Sequence, residues 1–173
     1  MTRILPKLFI AGLIAAGAPA VAAGAPNDAQ IAHIAYTAGN IDIAAGKQAL
    51  AKSHNKAVRS FASEMVRDHT AVNDKALALV KKLHVTPEDN ATSQSLSKGA
   101  AAELQTLAKL KGHAFDKAYV NNEVAYHKTV NGALKDTLIP SAKNGELKSL
   151  LQTGLTLFQE HQKHAEQLAA KLK

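Results

Sequence analysis

Glu146–Leu172 reads ELKSLLQTGLTLFQEHQKHAEQLAAKL. Stepping through it by three and four picks out Leu147, Leu151, Gly154, Phe158, His161, Ala165, Leu168 and Leu172. These positions form one continuous stripe on a helix of 3.6 residues per turn, and amide, hydroxyl and charged side chains fill much of the rest. The pattern predicts an amphipathic helix with a histidine on its apolar seam. A leucine would pack better there, so His161 needs a polar partner from elsewhere in the fold.

Working outward, three more helical blocks precede this one. The first spans about Asn27–Ser53, with Asn27 and Asp28 as capping residues after Pro26 and Ile31, Ile34, Ala38, Ile41 and Ala45 as its core face. A short joint, SHNKA, leads into the second, about Lys56–His84, with Val58, Phe61, Met65, Val72, Ala76, Leu79 and Leu83 inward. The polar stretch VTPEDNATSQS, residues 85–95, is read as the main loop. The third block is read as one long helix from about Leu96 to Leu138, bent at Gly112, with Leu104, Leu107, Phe115, Tyr119 and Val130 inward. IPSAKNG makes the last turn. Aromatics are only 4% of the chain and Trp is absent, a mix that favours helix over strand. At 173 residues and 46% hydrophobic, the chain supports one domain with a real core. The expectation is an all-α chain, an antiparallel four-helix bundle over residues 27–173.

Residues 1–22 are set apart. Arg3 and Lys7 precede the apolar run LFIAGLIAAGAPAVA, and small residues follow at the cleavage positions, the layout of a secretory signal peptide. This predicts a periplasmic or secreted protein. The chain has no cysteine, so disulfides, thiolate metal sites and a lipidated N-terminal Cys are excluded. Net charge is +7, or +5 once Arg3 and Lys7 are removed with the leader. The basic residues are scattered along helices, with no Arg-rich block and no interleaved aromatics, so no nucleic-acid motif is present. A solvated surface accounts for them, with weak attraction to an anionic envelope surface as the further possibility.

The polar interruptions of the apolar stripes carry the functional signal. His69 breaks the run Phe61, Met65, Val72, Ala76 as His161 breaks its own. Glu123 and His127 lie one turn apart after Tyr119, and Asp42 stands at the edge of the first core stripe. His164 is three residues from His161 and can flank the same place. Axial counts support convergence. Asp42 is 12 residues before His54 and His69 is 15 after it, an offset of about 4 to 5 Å at 1.5 Å per residue. Counted from Pro140, Glu123 and His161 differ by about 6 Å, and His127 fits worse by another turn.

The blocks GNIDIAAGKQALAKSHNKAVRSFASEMVRDHTAVNDKALAL, LAKLKGHAFDKAYVNNEVAYHKTV and FQEHQKHAEQL occur in an order that resembles a bacterial exported family, domain of unknown function 4142, whose members are often labelled predicted outer-membrane proteins. The resemblance implies export and a ferritin-like four-helix bundle, and implies no mechanism. Ferritin-like di-iron proteins use one Glu from each of two helices and Glu-x-x-His from the other two. Here the second helix has no Glu three residues before His69, and Glu123 and His127 are four apart.

Three histidines with one or two carboxylates suit a single zinc, iron, copper or manganese ion better than a carboxylate-bridged pair. The candidate metal set is Asp42, His69, Glu123, His127, His161 and His164. A buried hydrogen-bond network that fixes helix register, in a structural or interaction module of the envelope, is the competing reading. Asp68 is read as pointing elsewhere, either a surface group or one that supports a ligand from outside the site, and His33, His54, His84 and His113 as peripheral or at helix ends. Nothing favours an enzyme: there is no Cys nucleophile, no strand-turn-helix elbow around a serine, and no carboxylate pair in an evident cleft. The leader makes a direct prediction. The mature chain should begin near Ala23 and fractionate as soluble periplasmic protein; intact mass of native material showing Met1 retained, in the membrane fraction, would refute it.

Overall fold

A computed structural model describes residues 24–172, all helix and connecting turns; the expected leader at 1–22 lies outside the described residues. Helix α1, Asp28–Lys52, opens with a reciprocal cap: Asn27 accepts from the Gln30 N–H and the Gln30 side chain accepts from the Asn27 N–H. Asn55 accepts from the Ala57 and Val58 N–H groups to start α2, Lys56–Lys82. That helix closes on His84 in the left-handed region, φ 53°, with the Val85 N–H reaching the Val80 carbonyl.

The third predicted helix is two helices. Residues 85–90 are loop as expected, but Asn90 accepts from the Thr92 and Ser93 N–H groups, so the rest of the polar stretch, Ala91–Ser95, already belongs to α3, Ala91–Ala108. The chain breaks at Lys109–Lys111, and Gly112, at φ 54°, turns it into α4, Gly112–Ala133. A π-helical turn, Leu134–Leu138, and a single α-turn, α5 (Ile139–Ser141), carry it on past Pro140. Asn144 caps α6, Gly145–Lys171.

The splitting of that block sets the topology. The Glu88 N–H bonds the Ala29 carbonyl at one end of the bundle, and Lys52 bonds the Ala108 carbonyl at the other, so α3 runs the full length alongside α1. It returns the chain to the end where α2 began. Consequently α4 packs antiparallel to α6 and α1, and α2 packs antiparallel to α1 and α6. The connection between hairpins is therefore not short: it is one long crossover, the connection type of ferritin-like bundles, here itself helical. Ile41 accordingly faces a groove shared with Leu96, Gly99 and Leu107 of α3, and Asp42 takes the inward position.

The core comes in two apolar halves. One holds Phe61, Met65, Phe115, Tyr119, Ala165 and Leu168; the other holds Ile31, Ile34, Leu134, Leu147, Leu151 and Phe158. A layer of buried polar side chains lies between them. Close approach of α1 to α2 beside that layer depends on Gly39, where an added Cβ would sit 2.3 Å from Asn73 Oδ1 and 2.9 Å from its Cγ. Asn73 is held by the Asn40 side chain at 3.0 Å, so it cannot swing away freely. Gly39→Ala should therefore destabilise the fold by about 1–3 kcal/mol in urea melts. Gly99→Ala, mid-helix in α3 with nothing within 4 Å, should instead stabilise by about 0.5–1 kcal/mol. Equal effects from the two would refute the close approach.

Candidate metal centre

Helical periodicity places one ionisable group or more from each bundle helix in the polar layer: Asp42 from α1, His69 from α2, Glu123 and His127 from α4, and His161 from α6. All five are within 1–2% of complete burial. The three imidazoles form a near-equilateral triangle, with ring centroids 5.6 Å apart for His69–His127, 5.3 Å for His69–His161 and 5.6 Å for His127–His161. Phe158 stacks on His69 at 4.5 Å and 9°, closing the triangle on the side of the second half-core.

The hydrogen bonds orient the rings. His127 Nδ1 lies 3.0 Å from the Glu123 carbonyl, so Nδ1–H donates there and Nε2 is left with a free lone pair. His161 Nε2 lies 3.1 Å from Asp68 Oδ2, and the same logic frees Nδ1. Neither nitrogen of His69 has a hydrogen-bond partner, although Nε2 is 3.5 Å from Asp42 Oδ2. Asp42 Oδ1 and Glu123 Oε2 are also unpartnered. Leaving a buried donor or acceptor unsatisfied costs about 1–3 kcal/mol per group. Such a concentration in one layer is what a site built to take a ligand looks like.

Burial sets the charge state. It lowers His69 well below the usual histidine range, helped by the neighbouring His127 and His161, and lowers His127 to about 4. It lowers His161 too, against the opposing pull of Asp68. Burial, reinforced by Glu123, pushes Asp42 well up, and burial pushes Glu123 up to about 8. Burial thus favours neutral imidazoles and protonated carboxyls throughout the layer. Asp68, held below the carboxylate range first by Arg67 and then by His161, carries a charge at its edge.

Possible ligand atoms of His69, His127 and His161 lie within 4.8 Å of one another, as do those of Asp42, Glu123 and His127. His127, expected to fit worse than Glu123, sits in the layer because the real turn is centred on Lys143 rather than Pro140. From there His127 is 16 residues back and His161 is 18 forward. His164 does not enter the layer: its Nδ1 pairs with Glu64 Oε2 at 2.8 Å, partly exposed. Glu160, one turn before it, faces solvent near Lys163. Asp68 takes the second of the two roles expected for it and backs His161 from outside the layer, while Glu64, which the sequence did not mark, pairs with His164. Their signal is matched spacing, since Glu64 and Asp68 four apart on α2 oppose His161 and His164 three apart on α6.

A family model described as Domain of unknown function (DUF4142) matches residues 14–168. No curated protein and no solved structure matches the chain.

The shifted groups set the pH dependence of stability. The histidines have folded values below the unfolded 6.5, so their contribution is complete above that pH and is lost as pH falls below it. The carboxyls have folded values above the unfolded range, so their contribution is complete below about 4 and is lost as pH rises, for Glu123 through about 8. Below pH 6.5 the two slopes oppose each other, and above it only the carboxyl slope remains. Metal-free melting temperatures should therefore fall from pH 6.5 to 8, and Glu123→Gln should shrink that fall. A flat profile over that range would refute the buried carboxyls.

Proposed function

The chain belongs to the family described as Domain of unknown function (DUF4142), and on that premise we propose that it is an exported helical bundle that binds one divalent transition-metal ion between its two half-cores. The observation that carries this reading is the clustering of His69, His127 and His161, each with an unpartnered ring nitrogen, and of Asp42 and Glu123 with the same His127. His69, His127 Nε2 and His161 Nδ1 would hold the ion, with Asp42 or Glu123 as the oxygen ligand. Neutral imidazoles are already in the ligating state, and the carboxyl gives up its proton on binding, so uptake strengthens as pH rises. Asp68 behind His161 is the carboxylate that orients a ligating imidazole from outside the site. Zinc, iron, copper and manganese all accept this donor set. The role is sequestration or sensing of the ion rather than catalysis. The leader-like residues 1–22 support action in the periplasm or outside the cell.

One observation favours a second reading. His161 makes a hydrogen bond across to Asp68 of α2 that needs no ion, as expected of a register-fixing network in a structural module of the envelope. Metal-dependent melting separates the two. With an ion at one hundred times its Kd, the wild type should gain about 2.7 kcal/mol of stability. His161→Leu should abolish that gain, and His33→Leu, altered near Asp89 away from the layer, should keep it. If zinc, copper, iron and manganese all leave the wild type unmoved, or His161→Leu responds as the wild type does, the network reading replaces the metal reading.

A further inference from the structure

Beyond the histidine layer, the two half-cores are filled very differently. Where one carries Phe61, Met65, Phe115 and Tyr119, the other brings small residues inward: Ala32, Ala35, Ala38, Ala76 and Gly154. The space they leave is a cavity of about 790 Å³ between α1, α2, α4 and α6. A close-packed interior does not leave voids of that size. Ile34, Val72, Leu134, Leu138 and Leu151 form its walls, and Phe158 is among its lining residues. The same Phe158 ring is stacked on His69. The lining reaches the surface at Gly24, Ala91 and Thr92 and again at Thr129 and Thr137.

Two properties define what fits. The volume falls in the range of small-molecule pockets, about 300–1,000 Å³. Among the described residues no Asp, Glu, Lys, Arg or His lines it, so a charged headgroup would find no counter-ion and would be desolvated at a cost. The polar side chains on its lining are amides and hydroxyls alone, those of Gln30, Asn73, Asn90, Thr92, Thr129 and Thr137. We propose that this cavity binds an uncharged lipid-like molecule, its apolar body between the four helices and a hydroxyl or carbonyl group against one of these amides or hydroxyls. The apolar run of residues 8–22 and a second copy of the chain are the rival occupants. The volume, the neutral lining and its scattered amides and hydroxyls favour a single small molecule, and the test below distinguishes the other two.

The test uses the purified full chain and the neutral fluorescent probe N-phenyl-1-naphthylamine. The expected result is saturable binding of one probe per monomer, displaced by a monoacylglycerol and at least about tenfold less well by the fatty acid of equal chain length at pH 8. Ala35→Leu with Ala76→Leu fills the cavity and should weaken probe binding about tenfold or more without lowering the melting temperature. If that pair fails to fold, Val80→Phe on the same lining takes its place. The same variants should keep the wild-type response to zinc, so failure here is distinguishable from failure of the metal reading. Non-saturable binding, equal affinity in the filled variants, displacement equally good by the fatty acid, binding that requires a dimer, or binding that appears only after removal of residues 1–22 would each overturn the proposal.

Discussion

An imidazolium or a carboxylate loses far more hydration on burial than its neutral form does, and Asp42, His69, Glu123, His127 and His161 all lie where water does not reach. Burial drives each toward its uncharged state, the histidines by disfavouring the added proton and the carboxyls by favouring its retention. That condition ties the helices to one register. Sliding α2 by one turn would carry His69 out of reach of Asp42 and into a leucine-lined half-core, where an unpaired nitrogen has no compensation. The approach of α1 to α2 beside the layer, at Gly39 against Asn73, follows from the same demand that polar groups from both helices meet.

The crossover α3 makes the meeting geometrically possible. Because it returns the chain along the whole length of α1, α4 enters the bundle from the end where α2 begins, and the two run parallel on opposite corners. His69 and His127 then project toward each other from those corners, while α1 and α6 supply Asp42 and His161 from the other two. A short loop after α2 would start the third bundle helix from the opposite end, and Glu123 and His127 would lie in inverted axial order.

The long helices and most of the polar layer were legible from the chain itself, because 3.6-residue periodicity marks a seam and a histidine on a seam stands out against leucines. Asp42, His69, Glu123, His127 and His161 could be picked for that reason. The errors and open points share a different cause. Asn90 and Gly112 act through backbone geometry, a cap and a left-handed φ, inside a stretch whose composition reads equally well as loop or bent helix. Asp68 and Glu64 lie off the seam of α2, and only the rotation of α6 against it brings them to His161 and His164. Ile41 is apolar in composition yet peripheral, since its burial comes from α3, an element the periodicity merged with α4.

The division of the apolar core by a polar layer also shapes how the molecule opens. Phe115 stacked on Tyr119, with Phe61 beside them, knits one end of the bundle through dense side-chain contact. The opposite end is hollow and closes on itself through surface bonds, Asp28 to the Lys143 and Asn144 N–H groups and Lys82 to Glu146. Cooperative units in proteins follow contiguous packing, and their opening free energies range from near zero to the global value. Amides around the hollow end are therefore expected to exchange with solvent through partial openings that leave the aromatic end intact, with the histidine layer as the boundary between the two.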